Sequence, residues 1–260
     1  CDADDAYTPD FLENMVNFAE ENDLDLAACG YDKIDGLTGK VLKHKSLNEN
    51  LIIYDQLFAD SFIQYRGFIS YLWGKLYSIP FLKRKIATGT GALKKERICN
   101  DTIGTLNMFR KAKRVGIYAK SMYQYYQYPH SLSHQNIEAS LSSYRDLWNV
   151  TRKYLEYYGP ISKLNEDFHY AIHLSLVDEA VGNIFASALD TKKKLELLEE
   201  VFCDPVWADT LNRDADPVFQ NLTARGKFVS DIKEKINALP NNEEHKQLVN
   251  HINDLLTVND

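Results

Sequence analysis

The 260-residue chain has no uninterrupted apolar run approaching the ~20 residues of a membrane span. It has no excess of positive charge. Thirty Lys and Arg stand against 37 Asp and Glu, a net charge of −7, which argues against general nucleic-acid binding. Its four cysteines, Cys1, Cys29, Cys99 and Cys203, are far apart and form no C-x-x-C pair. That excludes the usual zinc spacings and a dense disulfide framework, and favours free thiols in a reducing compartment. The sequons at Asn100, Asn149 and Asn221 carry no weight in a cytoplasmic protein. There is no signal peptide, internal repeat or low-complexity tract, and no initiating Met. The chain begins inside what reads as a motif, so a fragment or trimmed chain is expected. What remains is an ordinary globular composition, 45% hydrophobic and 26% charged, long enough for one large domain or two modest ones.

The motif is Cys1-Asp-Ala-Asp-Asp5, with three carboxylates in four positions. Carboxylates this close repel one another unless a cation or a set of donors neutralises them. A hard divalent cation, Mg²⁺ or Mn²⁺, with a substrate phosphate completing its shell, is one answer. A solvated acidic terminus is the other.

Thr8 and Pro9 can open a helix, and Phe11, Leu12, Met15, Val16, Phe18 and Ala19 continue it at helical spacing to about Glu21. Asp25 to Tyr31 reads as a buried strand. Asp35 to Gly39 reads as a turn and Lys40 to Lys45 as an exposed strand. Helices are expected over 51–66, 68–84 and 102–113, a loop over 86–99, and strands over 114–119 and 123–128. After the break at Pro129 the pattern turns helical throughout, with helices near 141–158, 161–189, 191–203, 228–238 and 242–257. The expected fold class is thus an α/β part, residues 1–135, followed by an all-α part, residues 136–260.

Several residues could carry chemistry. Asp101 lies in Asn100-Asp-Thr102, which would serve as a helix N-cap or present a general base. Lys75 could meet a phosphate. Trp73 could stack on a sugar or base, although Trp73, Leu76 and Tyr77 at i, i+3 and i+4 read first as core residues of a helix. Ten Lys or Arg fall between residues 83 and 114. They read as a solvated face, with a diphosphate-facing or membrane-facing surface as the alternative. His169 and His173 are spaced i, i+4, but no Glu follows His169, and packing is favoured over a metal.

The order of these segments resembles the second half of family 2 glycosyltransferases of the GT-A fold, especially bacterial enzymes of surface polysaccharide synthesis. The matching segments are Asp2-Ala-Asp-Asp5, Pro9-Asp-Phe-Leu-Glu13, Trp73-Gly-Lys-Leu-Tyr77, Asn100-Asp-Thr102 and Tyr123 to Ser133. The likeness covers residues 1 to about 135. It implies an inverting, metal-dependent transfer of sugar from a nucleotide-sugar donor to a saccharide or lipid-linked acceptor. It also implies a Mn²⁺ or Mg²⁺ cofactor at Asp4 and Asp5, with substrate contact at Asp2, Trp73 and Lys75. The division of roles among Asp2, Asp4 and Asp5 stays open. Asp101 matches the family base, while the usual Glu before it is Asn100. A cytoplasmic protein, free of nucleic acid and with peripheral contact at the inner membrane face, is implied as well. The nucleotide-binding strands that precede the acidic motif in the family are absent, so the chain alone is expected to bind donor weakly and to be inactive. The rival reading is a non-catalytic helical interaction module.

Overall fold

A computed structural model describes residues 2–87, 100–128, 137–213, 225–240 and 243–257. The chain divides into two units. One comprises residues 1–133 together with 149–161; the other comprises 134–148 and 162–260.

The first unit is built on a mixed six-stranded sheet: β1 (Ala6–Tyr7), β2 (Leu26–Asp35), β3 (Val41–Lys45), β4 (Leu51–Tyr54), β5 (Lys75–Tyr77) and β6 (Arg114–Gln127). β2 and β6 run parallel at its centre. β5 and β3 pair antiparallel with successive halves of β2, and β4 and β1 do the same along β6. The apolar run Leu26-Ala-Ala-Cys29 is buried throughout, as a strand covered on both faces must be.

The β2–β6 register breaks on either side of Gly30. A side chain there would meet the Lys45 carbonyl oxygen at 2.1 Å, so only glycine fits that close approach. On the other side of the irregularity, the Ala119 N–H bonds to Asn50 Oδ1 and the Ala119 carbonyl accepts from the Leu47 N–H. The segment 114–127 therefore continues as one strand where two were expected, because neighbouring groups satisfy its irregular backbone.

Helix α1 (Phe11–Glu21) lays Phe11, Met15 and Phe18 into a core shared with Leu24, Cys29 and Met122. It starts beyond the expected Thr8 cap. Thr8 instead gives its N–H to the Met122 carbonyl, and the Asp10 side chain makes no cap bond.

The expected helix 51–66 is a correction. Residues 51–54 form β4, followed by α2 (Leu57–Asp60) and α3 (Phe62–Tyr65). The expected helix 68–84 also fails. Residues 75–77 pair with 26–28 as β5, and the helix proper is α4 (Ile79–Ala87). In both cases sheet pairing outweighs a short apolar period. The expected loop 86–99 lies mostly outside the described residues. Helix α5 (Asn100–Lys111) follows the expected course.

Helix α6 (Ile137–Glu156) contributes residues to both units, and its last turns return to the first. There Tyr154 and Tyr65 exchange a hydroxyl contact of 2.6 Å, amid Phe58, Phe62 and Phe109.

The second unit is helical: α7 (Lys163–Ala186), α8 (Thr191–Phe202), α9 (Pro205–Asn212), α10 (Arg225–Asn237) and α11 (Glu243–Leu255) around one apolar core. Ser162, Asp190 and Asp204 cap α7, α8 and α9 through their side chains. The short α9 was not expected. Its signal, Asp204 before Pro205, is a helix start.

Among the described residues no helix is long and apolar enough to cross a membrane. The α/β part followed by a helical part is the fold class expected from sequence.

Candidate active site

The acidic turn is fastened to the sheet through Asp5. Its Oδ2 accepts from the Tyr123 hydroxyl at 2.7 Å and its Oδ1 from the Tyr126 N–H at 2.8 Å. The Tyr123 oxygen in turn accepts the Asp2 N–H at 3.3 Å. The alternating side chains of a strand put Tyr123 and Tyr125 on one face of β6, so this tether is set by strand periodicity. Burial raises the Asp5 pKa. The two donors oppose that rise, and the charges of Asp4 and Asp2 add to it. The Tyr123 hydroxyl is pushed well up by burial and then by its bond to Asp5. Asp2 and Asp4 are exposed.

Next to this turn lies an aromatic stack. Trp73 lies face to face with Tyr71 on one side and Tyr123 on the other, with ring centroids 4.2 Å apart in both pairs. Tyr125 flanks it and Tyr31 meets it edge-on. Residues 71–74 are not helical, so the spacing of Trp73, Leu76 and Tyr77 marks no helix face; this corrects that reading. Gly74 makes the arrangement feasible, with φ of +65° in the left-handed region between Trp73 and the start of β5. The Trp73 ring is half-buried.

Beneath the stack Lys75 is buried, at 9% exposure. Its ammonium donates to the carbonyls of Tyr71 and Trp73. Burial lowers its pKa from 10.5 to about 7, an effect opposed by Cys29 and Asp101. Burial also pushes the Cys29 thiol up to about 12, and the thiol donates to the Gly74 carbonyl at 3.5 Å.

Helix α5 brings Asp101 to this place. Thr102 donates to the Ser70 carbonyl at 3.1 Å and Thr105 to the Tyr71 carbonyl at 3.3 Å, so the first turns of α5 dock on the 70–75 segment. Asp101 sits in the first turn. Partial desolvation raises its pKa, the charge of Asp2 raises it further, and Lys75 opposes both. Asp101 is therefore within electrostatic reach of both Asp2 and Lys75, which come from two other segments of the chain.

Of the residues singled out from sequence, Asp2, Asp5, Trp73, Lys75 and Asp101 cluster at this place, and Asp4 reaches it through its charge on Asp5. Tyr71, Tyr123 and Tyr125 complete it and were not foreseen as site residues. The alternation of tyrosines in Tyr123-Gln-Tyr125 was the available signal.

The metal question turns on donor chemistry. Three carboxylate groups supply the hard oxygens that Mg²⁺ or Mn²⁺ prefers. Asp5, expected as a ligand beside Asp4, has both oxygens engaged by Tyr123 and Tyr126. Among the described residues no group of three or more His, Cys, Asp or Glu is placed to hold a metal. Asp2 and Asp4 remain, and two carboxylates plus substrate phosphate oxygens suffice for a Mg²⁺-type ion.

His169 and His173 lie in the second unit. His169 stacks on Trp148 with centroids 3.7 Å apart, and His173 meets the same indole edge-on.

Residues 1–112 match the family model described as glycosyl transferase family 2. An uncharacterised glycosyltransferase, EpsJ of Bacillus subtilis (strain 168), is 23% identical over 202 residues, a match covering 75% of this chain and 57% of that protein. The chain thus spans little more than half the length of this curated relative. Among solved structures, S. aureus TarS in complex with UDP-GlcNAc aligns with 96% of this chain and 61% of its own length, at 14% identity and a TM-score of 0.36. The TarS complex with UDP gives 98%, 61%, 16% and 0.36 for the same measures. The segment matching the glycosyl transferase family 2 model includes every residue of the site described above except the tyrosines of β6.

Proposed function

We propose that this chain carries the acceptor-activating part of an inverting GT-A-type glycosyltransferase acting in polysaccharide synthesis. The donor is a nucleotide sugar and the acceptor a saccharide or lipid-linked hydroxyl. The observation that supports this reading is that Asp101 feels the charges of both Asp2 and Lys75, while α5, which carries it, docks on the 70–75 segment.

Asp101 takes the proton from the attacking acceptor hydroxyl. Partial desolvation raises its proton affinity, which strengthens it as a base once it is ionised. Asp2 and Asp4 would hold a divalent cation, which would supply charge neutralisation for the departing nucleoside diphosphate. Asp5 keeps the turn in register with β6 through Tyr123 and Tyr126. Trp73, held flat between Tyr71 and Tyr123, offers an aromatic edge for a sugar ring. Lys75 is a positioning residue that ties down the Tyr71 and Trp73 carbonyls.

Replacing Asp101 tests the proposal. In the full-length protein, Asp101→Asn should lower the sugar-transfer rate by about 10²- to 10⁴-fold, the usual range for losing a general base, while the melting temperature holds. Transfer at the wild-type rate would remove Asp101 as the base. It would also favour the rival reading of a helical interaction module.

A further inference from the structure

Helix α5 carries functional groups at both ends. Asp101 lies in its first turn and Arg110 and Lys111 in its last, with Lys113 just beyond. At 1.5 Å rise per residue, Arg110 lies about 14 Å along the axis from Asp101. Around this far end the first unit opens a cleft of about 680 Å³, lined by Phe81, Arg84, Arg110, Lys111, Lys113 and Tyr157 among others. None of its described lining residues is acidic. Four cationic side chains thus converge, one of them, Arg84, paired with Asp25, in a chain whose net charge is −7.

The cleft is organised as well as charged. Asp25 fixes its rim, accepting from Arg84 at 2.6 Å and from the Lys113 N–H at 2.7 Å. The Arg110 guanidinium lies 5.9 Å from the centre of the Tyr157 ring, and Arg84 lies at the same distance from Phe81. An aromatic face holds a guanidinium plane while leaving its N–H edge for an anion, as Tyr157 does for Arg110, whereas Arg84 already spends an N–H on Asp25. Tyr157 is 64% exposed, so its ring is accessible to a ligand in the cleft.

Complementing the helix macrodipole would account for Arg110 and Lys111. It accounts neither for Arg84, which comes from α4, nor for Tyr157, nor for the concavity that joins them.

We propose that this cleft is a second binding site, for a phosphate-bearing ligand, separate from the Asp101 site. Concave walls focus the field of clustered charges, and guanidinium groups match phosphate oxygens in pairs. The volume exceeds what one phosphate fills and leaves Tyr157 to face an organic portion. The phosphate can belong to an anionic phospholipid headgroup or to a soluble phosphate ester. The proposal stands on the cleft alone and does not need the sugar-transfer reading.

The test uses the 260-residue chain with EDTA present, which removes any metal-dependent diphosphate binding at Asp2 and Asp4. One arm titrates inorganic pyrophosphate by calorimetry. The other sediments the protein with phosphatidylcholine vesicles containing about a third phosphatidylglycerol. Arg110→Glu combined with Lys113→Glu should weaken whichever probe binds by about tenfold or more, whereas Asp2→Asn should leave it unchanged. Pyrophosphate binding alone assigns a soluble ester, and vesicle binding alone assigns a lipid headgroup. Vesicle binding that pyrophosphate displaces assigns both to one cleft. Should charge reversal lower the melting temperature, Arg110→Gln with Lys113→Gln serves instead and should show a smaller loss. Failure of both probes to bind, or equal binding by the variants, overturns the proposal.

Discussion

Asp101 is a carboxylate whose neighbours disagree about its charge. Desolvation and Asp2 hold the proton on, while Lys75 draws it off. Its place in the site was legible in the sequence only through the order of motifs, since Asn100-Asp-Thr102 alone reads equally well as a cap. The role of Asp5 was not legible, because its partners Tyr123 and Tyr126 lie more than a hundred residues away. Trp73 misled for a related reason. Its apparent helical spacing with Leu76 and Tyr77 is interrupted by Gly74 in the left-handed region, which one sequence cannot reveal. That glycine supports a prediction. Its Cβ position meets Cys29 Sγ at 3.5 Å, an ordinary contact, so the cost of Gly74→Ala is backbone strain alone. The variant should lose about 1–2 kcal/mol in denaturant unfolding, and an unchanged midpoint would show that the turn relaxes freely.

At the scale of elements, those with a long, clear period formed as expected. α1, α5, α7, α8 and the β2 strand all appear within a few residues of their expected positions. The short ones did not, because Leu51-Ile-Ile-Tyr54 and Lys75-Leu-Tyr77 take their structure from pairing with β6 and β2. The packing of α7 on α9 carries its own consequence. The Thr210 hydroxyl donates to the Val206 carbonyl and so accepts from His173 Nδ1–H at 2.9 Å, which fixes the neutral tautomer. Burial lowers the His173 pKa from 6.5 to about 4, against a small opposing effect of Asp204, which is itself paired with Arg145. The folded-state value lies below the unfolded one, so the unfolded chain binds the extra proton between these limits. Stability should therefore fall as pH drops from 6.5 towards 4, by up to about 3 kcal/mol. Urea unfolding at several pH values checks this. His173→Gln should flatten that limb, and an unchanged slope in the variant would assign the loss to other groups.

For the whole molecule, the division into an α/β part and a helical part was legible because the hydrophobic period changes character after Pro129. The return of residues 149–161 to the first unit was not, because the helix Ile137–Glu156 shows no break in sequence where its residues pass from one unit to the other. The proposed transfer centre is likewise a property of the assembled chain, since it needs the acidic turn, the 70–75 segment and α5 at once. The pH dependence of sugar transfer by the full-length protein tests that claim most directly. With Asp101 as a partly desolvated base, the acid limb should lie above the ordinary aspartate value of 3.8 and be lost from the residual rate of Asp101→Asn. An acid limb that persists unchanged in Asp101→Asn would contradict the account.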